Sequence, residues 1–147
     1  MLKLSQTLFL AAWLAYILLM LYGTFFPFHF QFTLEHLRGR SHGINWFPLT
    51  LFGDIAMKPI DWADYWINML LFIPFGFLAY KSFPGRPSRR RFASLVTLGF
   101  LFSLSIESTQ LFTETRDTSL TDVIWNTLST VTGVLCAIGM DVLIRGS

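Results

Sequence analysis

Ionic and amide side chains are concentrated in one short stretch of this 147-residue chain, from Ile106 to Asn126, with apolar sequence on both sides. The polar residues of this stretch include Glu107, Gln110, Glu114, Arg116, Asp117, Asp122 and Asn126. Carboxylates can act as general acids or bases, and the planar guanidinium of arginine binds a phosphate or carboxylate through two parallel hydrogen bonds. The residue types therefore allow either acid–base catalysis or the binding of a polar head group.

Catalysis would use Glu107 or Asp122 as the acid or base, with Arg116 stabilising developing negative charge. The sequence contains no nucleophile-elbow motif, no phosphate-binding loop and no spacing typical of a metal site. Its histidines, His29, His36 and His42, match no zinc motif, and we expect them to be solvated at a membrane interface. We therefore expect neither a metal nor a cofactor, and an enzyme is the alternative to a binding protein.

Long apolar runs must position these residues. The chain is 53% hydrophobic and only 14% charged, whereas a soluble domain usually carries about a quarter charged residues. Four runs approach the roughly 20 apolar residues needed to cross a bilayer: about 8–26, 62–80, 92–112 and 122–144. No clear cleavage site follows the first run, so we expect a retained helix rather than a signal peptide. The sequence predicts an all-α integral membrane four-helix bundle, a single domain over residues 1–147.

Basic residues indicate the orientation of this bundle. Those in the connection between the second and third runs are Lys81, Arg86, Arg89, Arg90 and Arg91, and this connection contains no acidic residue. Cytoplasmic connections carry the excess of lysine and arginine, so we expect both termini in the cytoplasm and residues 27–61 and 113–121 outside. A basic run can also bind nucleic acid. Its place between two spans favours topology as the explanation, and we expect no nucleic-acid partner.

On this topology, polar residues of three spans lie at similar depth. At about 1.5 Å per residue, Asn68 and Glu107 each lie roughly six residues, or 9 Å, below the outer end of a span. Asn126 lies one turn inside the fourth span. Residues three, four or seven apart share a helix face. The resulting stripes are Ser103, Glu107, Gln110 and Glu114 in the third span, and Asp122, Asn126, Ser129 and Gly133 in the fourth.

Glu107 should be the most costly of these residues to bury, because a charge inside a membrane costs at least about 2.5–3.5 kcal/mol on insertion scales. We therefore expect it to face the bundle interior. Its expected partners are Gln110, Asn68, Asn126 and Arg116. Hydrogen bonds between membrane helices, at about 0.6–2 kcal/mol each, could instead serve only to hold the helices together. For Asn68 and Asn126 this interpretation stays open, whereas the combination of Glu107, Arg116 and Asp122 favours a pocket.

Four short stretches follow one another in a fixed order. They are INWFPLTLF (44–52), NMLLFIPFGF (68–77), SIESTQLF (105–112) and an R-x5-D-x3-N pattern of Arg116, Asp122 and Asn126. Together they resemble the VanZ-like family over roughly residues 45–139. The positions matching that family's pattern are Asn45, Pro48, Asn68, Pro74, Gly76, Glu107, Gln110, Arg116, Asp122 and Asn126. One position departs from it: Ser129 stands where the family usually has glycine, so close helix approach is less expected there.

The resemblance implies a small multi-pass protein of the bacterial cytoplasmic membrane, from a family named after a protein associated with teicoplanin resistance. We expect an outward-opening polar pocket formed by Asn68, Glu107, Gln110, Arg116, Asp122 and Asn126. Its expected ligand is a cell-envelope lipid, a lipid-linked cell-wall precursor or a lipoglycopeptide. An intramembrane enzyme acting on such a lipid and a structural or partner protein are the alternatives, and the oligomeric state stays open.

Aromatic residues are abundant between the first two spans: Phe25, Phe26, Phe28, Phe30, Phe32, Trp46, Phe47, Phe52 and Trp62. Aromatic rings gather at the membrane–water interface, so we expect this outer loop to cover part of the polar cluster. Its stretch FHFQFTL alternates apolar and polar residues like a strand, but an irregular lid or a short interfacial helix fits equally well. Cys136, the only cysteine, is expected to be a small packing residue.

Overall fold

The computed structural model describes residues 4–41, 62–114 and 118–146, and within these ranges the chain is helical and contains no strand. The helices are α1 (Leu4–Phe25), α2 (Leu34–Ser41), α3 (Trp62–Ser82), α4 (Arg89–Gln110) and α5 (Leu120–Gly146). Among the described residues, three helical segments are long and apolar enough to cross a membrane: α1, α4 and Leu120–Ile144 of α5. The prediction of an all-α protein with helices long and apolar enough to cross a membrane is confirmed. α3 coincides with the second expected span but is not among those three segments.

The start of α4 differs from the predicted boundary by three residues. The Ser88 hydroxyl accepts a hydrogen bond from the Arg91 amide at 3.2 Å and so caps the helix. Three arginines that the sequence pattern assigned to the connection, Arg89, Arg90 and Arg91, therefore lie in the first turn of the helix.

Small residues bring the backbones of α3 and α5 into contact. A methyl group at Gly133 would overlap the carbonyl of Ile73, and one at Gly76 would overlap the carbonyl of Thr130. Gly99 of α4 faces the Thr130 side chain in the same way. Close approach through small residues is a common way for membrane helices to pack. The glycine at position 76 thus serves the packing of α3 against α5, and α3 continues through Pro74 as one helix.

Aromatic packing joins α1 and α4 to α3. Phe75 is buried and lies parallel to Phe102, with ring centroids 5.0 Å apart. Trp13 packs against Phe75 from the side of α1, with a centroid distance of 5.5 Å. The Tyr16 hydroxyl donates a hydrogen bond to the Leu71 carbonyl at 2.9 Å. The four long helices therefore share one apolar core.

The Arg91 side chain stabilises the connection between α3 and α4. Its guanidinium donates hydrogen bonds to the carbonyls of Tyr80 and Phe83 at 2.6 Å and of Gly85 at 2.7 Å. It also lies 3.9 Å above the Tyr80 ring. Carbonyls at the end of α3 thereby gain the partners that a helix terminus lacks.

Nearby, an ion pair between Lys81 and Asp141 joins the last turn of α3 to α5. On α5, Cys136 is exposed, so the expectation that it packs inside the protein is wrong. Its side chain lies on the outer face of the helix because the buried face is occupied by Val134 and Ala137.

The segment after α1 crosses to the end of α4. Phe30 forms an isolated antiparallel bridge with Thr113, and the Gln31 amide donates a hydrogen bond to the Phe112 carbonyl at 2.8 Å. The alternating stretch thus contributes one bridge and no strand, and α2 follows it. Trp46, Phe47 and Phe52 of the expected aromatic loop lie outside the described residues.

Candidate functional site

Polar side chains form part of the buried face of α4. Ser103, Glu107 and Gln110 are buried together with Leu95 and Gly99, at spacings of three or four residues. Glu107 is only 4% exposed although it carries a carboxylate. Glu114, which the predicted stripe also included, lies beyond the end of α4, is exposed, and accepts a hydrogen bond from the Gln31 side chain.

The Glu107 carboxylate is bound to the start of α5. Its Oε2 atom accepts a hydrogen bond from the Ser119 amide at 2.9 Å. The Thr118 hydroxyl donates to the main-chain carbonyl of Glu107 at 3.2 Å. Ser119 directly precedes α5, and the positive end of a helix dipole favours a negative group there. Glu107 therefore caps the N-terminus of α5 from the neighbouring helix.

A second polar contact lies deeper between the same two helices. Asn126, which is 2% exposed, donates from Nδ2 to the Ser103 hydroxyl at 3.0 Å. The Thr130 hydroxyl donates to the Asn126 carbonyl at 2.9 Å. At about 1.5 Å per residue, Ser103 lies roughly 10.5 Å from the end of α4 and Asn126 roughly 9 Å from the start of α5, whereas Glu107 lies only about 4.5 Å from the end of α4. The polar residues that were expected at one depth therefore lie at two depths along the helices, which we call the Glu107 level and the Ser103 level.

The remaining candidate residues are distributed around these two levels. Asn68 is half-buried on α3, and within the described residues no hydrogen bond joins it to Glu107 or Asn126. Asp122 is half-buried in the first turn of α5. Three candidates, Asn45, Pro48 and Arg116, lie outside the described residues.

Several buried polar atoms have no hydrogen-bond partner in the described part of the chain. On α4 and α5 and at their junction they are Arg91 Nε, Gln110 Oε1, Ser119 Oγ, Asn126 Oδ1 and Ser129 Oγ. An unsatisfied buried polar group costs about 1–3 kcal/mol, so each of these atoms would gain from a polar partner, and of the four at the C-terminal end of α4 and on or next to α5 only Ser119 lines the groove described below. No cluster of three or more His, Cys, Asp or Glu side chains suited to a metal occurs in the described ranges.

A groove of about 120 Å³ opens between the end of α4 and the start of α5. Its lining residues are Leu104, Glu107, Ser108, Leu111, Thr118, Ser119, Leu120 and Val123. The walls are mainly leucine and valine side chains, with the Glu107 carboxylate among them. Because Leu104 is 39% exposed, the groove is open at the flank of the molecule.

Sequence analysis missed Thr118 and Ser119, although one signal was present. Ser119 and Asp122 have the S-x-x-D spacing that marks the start of a helix. The Asp122 amide donates to the Ser119 carbonyl at 3.2 Å, consistent with a helix start at this point.

Comparison with known protein families matches residues 13–144 of the chain to the VanZ/LLP1 family. The matched range contains α3 and α4 completely and every residue of the groove. No curated protein and no solved structure gives a significant match.

Proposed function

We propose that this chain, which belongs to the VanZ/LLP1 family, binds an amphiphilic lipid of the cell envelope at the α4–α5 groove. In this proposal α1, α3, α4 and α5 form a four-helix bundle in the bacterial cytoplasmic membrane. Both termini face the cytoplasm, because the basic connection between α3 and α4 favours that side. The groove then opens near the outer surface.

The position of Glu107 is the observation that carries this proposal. A carboxylate at 4% exposure lines a groove whose other walls are mainly apolar and which is open at the flank of the helices. A lipid combines a polar group with a hydrocarbon segment, so the two parts of such a ligand match the two parts of the groove.

The volume of the groove narrows the choice of ligand. At about 120 Å³, it is slightly smaller than an engineered apolar cavity of about 150 Å³ that binds benzene. Pockets for drug-sized molecules are about 300–1,000 Å³. The groove therefore suits a short hydrocarbon segment beside one polar group, which favours a membrane lipid over a whole lipoglycopeptide. Arg116 is the proposed contact for a more distant head group.

Filling the groove with a larger side chain tests the proposal. Leu104→Trp should reduce the amount of lipid that stays bound in native mass spectrometry, because the indole would occupy the space between α4 and α5. Leu101→Trp is the matched control, since Leu101 lies nearly one turn earlier on α4, is 54% exposed and does not line the groove. Equal lipid retention by wild type and both variants would contradict binding in this groove.

Arg116→Ala tests the head-group contact separately. If Arg116 binds a phosphate or carboxylate of the lipid, this variant should retain less lipid than wild type in the same measurement. Unchanged retention would remove Arg116 from the proposed site and leave the groove proposal standing.

A catalytic role for Glu107 is the alternative that its place in the groove supports. Glu107→Gln preserves the shape of the side chain and an oxygen that can accept from the Ser119 amide, but it removes acid–base chemistry. Lipid extracts of cells that produce wild type or this variant should differ if a reaction is catalysed. If the variant changes the cellular lipids as wild type does, Glu107 is excluded as the acid or base.

A purely structural role is favoured by the bond between Glu107 and Ser119, since it fixes the start of α5 to α4. In that case Glu107→Ala should reduce expression and cellular function in parallel. A variant that is abundant and folded but inactive would instead indicate a site.

A further inference from the structure

We propose that three exposed arginines at the start of α4 bind the anionic head group of a membrane phospholipid. They are Arg86, Arg89 and Arg90. At about 1.5 Å per residue, Arg89 lies roughly 27 Å along the helix from Glu107, so this site is separate from the α4–α5 groove. It depends only on the placement of the long helices in a membrane, and either orientation of the bundle brings these arginines to a bilayer surface.

The structure separates these three arginines from their neighbour Arg91. The Arg91 guanidinium donates to three main-chain carbonyls and is therefore part of the fold. The three exposed arginines make no hydrogen bond or ion pair within the described residues. Asp141 lies at the same end of the bundle but is paired with Lys81, and the connection between α3 and α4 contains no acidic residue. The described part of the protein thus supplies no counter-charge for the three side chains.

The position of these charges is unfavourable for the helix itself. Arg89 and Arg90 lie in the first turn of α4, and this turn contains no acidic residue. The positive end of the helix dipole lies there, and it favours anions over cations. The orientation of the bundle accounts for basic residues in the connection, but it does not require them in the first turn of a helix. A bound anion would be attracted both by the guanidinium groups and by the helix end, and it would offset the unfavourable arrangement.

The connection holds the three side chains close together. Ser88 caps α4 by accepting from the Arg91 amide, and the Arg91 side chain donates to the Gly85 carbonyl at 2.7 Å. The chain is therefore constrained on both sides of the exposed arginines. Arg86 and Arg90 are four residues apart, so their Cα atoms are separated by at most about 14 Å. A guanidinium group binds a phosphate through two parallel hydrogen bonds, and three such groups within this distance suit a phosphate ester.

An exposed aromatic side chain favours a lipid over a soluble phosphate or a nucleic acid. Phe83 is 40% exposed, and its ring packs edge-on against Trp13 with centroids 5.3 Å apart. In the proposed membrane placement, the start of α4 lies where basic residues attract anionic phospholipids. A lipid can place its phosphate against the arginines and its hydrocarbon against Phe83. A free phosphate or a nucleic acid would use the charges alone.

Photoreactive phospholipids test this proposal. Phosphatidylglycerol and phosphatidylcholine with the same acyl chains and a diazirine near the head group would be added in trace amounts to phosphatidylcholine nanodiscs that carry the full-length protein. Labelled peptides would be identified by mass spectrometry. We expect phosphatidylglycerol to label residues 82–94 at least about tenfold more than phosphatidylcholine. Both leaflets of the nanodisc have the same composition, so the orientation of the protein does not affect the result.

Substitutions assign the binding to individual side chains. Arg86→Gln, Arg89→Gln and Arg90→Gln should each lower the preference for phosphatidylglycerol by about fivefold, which corresponds to about 1 kcal/mol for a basic residue near an anionic surface. The triple variant should show no preference while keeping the wild-type circular dichroism; if it folds poorly, the single variants decide. Arg38→Gln is the matched control, because it removes the same charge from an exposed residue of α2, which follows the segment bridged to the far end of α4. It should leave the labelling of residues 82–94 unchanged.

Several outcomes would overturn the proposal. Equal labelling of residues 82–94 by the two lipids in wild type would do so, as would a folded triple variant that keeps the preference. A loss in Arg38→Gln as large as in the single variants would mean that net charge, and not this site, determines binding. Displacement of the probe by submicromolar duplex DNA or by millimolar glycerol phosphate would reassign the arginines to a nucleic acid or to a soluble phosphate. Leu104→Trp fills the groove and should not change this labelling, so failure of the groove proposal can be told apart from failure of this one.

Discussion

Gly133→Ala should destabilise the protein although alanine is the better helix former. The new methyl group would overlap the Ile73 carbonyl and lie 2.8 Å from the Phe77 amide nitrogen. Both obstacles are backbone atoms, so α3 and α5 must separate. Overpacking of this kind costs up to about 3 kcal/mol, and the higher helix propensity of alanine returns about 1 kcal/mol. The expected net loss is therefore about 2 kcal/mol.

Gly139→Ala is the matched control, because Gly139 lies on the same helix and has no atom within 4 Å of the added methyl group. This variant should be as stable as wild type or more stable by up to about 1 kcal/mol. The two variants should then differ by about 3 kcal/mol, which is more than a hundredfold in the unfolding equilibrium constant. Unfolding in mixed micelles with increasing dodecyl sulfate, followed by far-ultraviolet circular dichroism, measures the difference. Equal midpoints for the two variants would refute direct backbone contact between α3 and α5.

Five further substitutions test three other contacts. Arg91→Lys loses the planar guanidinium that donates to three carbonyls, so we expect a lower thermal midpoint and a loss of stability of about 1–3 kcal/mol. An unchanged midpoint would mean that these hydrogen bonds do not stabilise the α3–α4 connection. A double-mutant cycle of Asn126→Ala and Ser103→Ala should give a coupling energy of about 0.6–1.7 kcal/mol, and a value near zero would mean that the bond contributes nothing. Gln31→Ala and Glu114→Ala remove an exposed contact, so we expect faster proteolysis between α1 and α2 with unchanged global stability. Proteolysis of this segment at the wild-type rate would argue against its anchoring to the end of α4.

The long helices could be predicted because their signals are local. Apolar runs located α1, α3, α4 and α5 to within a few residues, and spacings of three and four residues identified the buried face of α4. α2 was harder to predict, because its sequence LEHLRGRS is short and polar. A short helix was one of the alternatives for the outer loop, and nothing in the sequence favoured it over an irregular segment.

The partner of Glu107 could not be predicted from residue types. The expected partners were all side chains, whereas the hydrogen bond comes from the Ser119 main chain. Every residue except proline carries such an amide, so only the path of the chain after α4 determines which one reaches the carboxylate. The S-x-x-D spacing of Ser119 and Asp122 is typical of a helix start, but it does not indicate that α4 would supply the cap.

The pairing of Asn126 with Ser103 was missed for a different reason. Depth was counted from predicted span ends, and an error of three or four residues corresponds to about 5 Å along a helix. That error is about as large as the separation between the Glu107 level and the Ser103 level. Depth counting could therefore predict a polar region between α4 and α5, but it could not resolve the two levels within it.

The contacts of α1 have a consequence for how a ligand reaches the groove. In the described residues α1 packs against α3 and, less extensively, against α4, and it makes no contact with α5. The first helix therefore lies away from α5. If the groove binds a lipid as proposed, a molecule dissolved in the bilayer would reach Glu107 by lateral diffusion within the leaflet, and its arrival rate would depend on membrane fluidity. A water-soluble compound would first have to partition into the lipid phase.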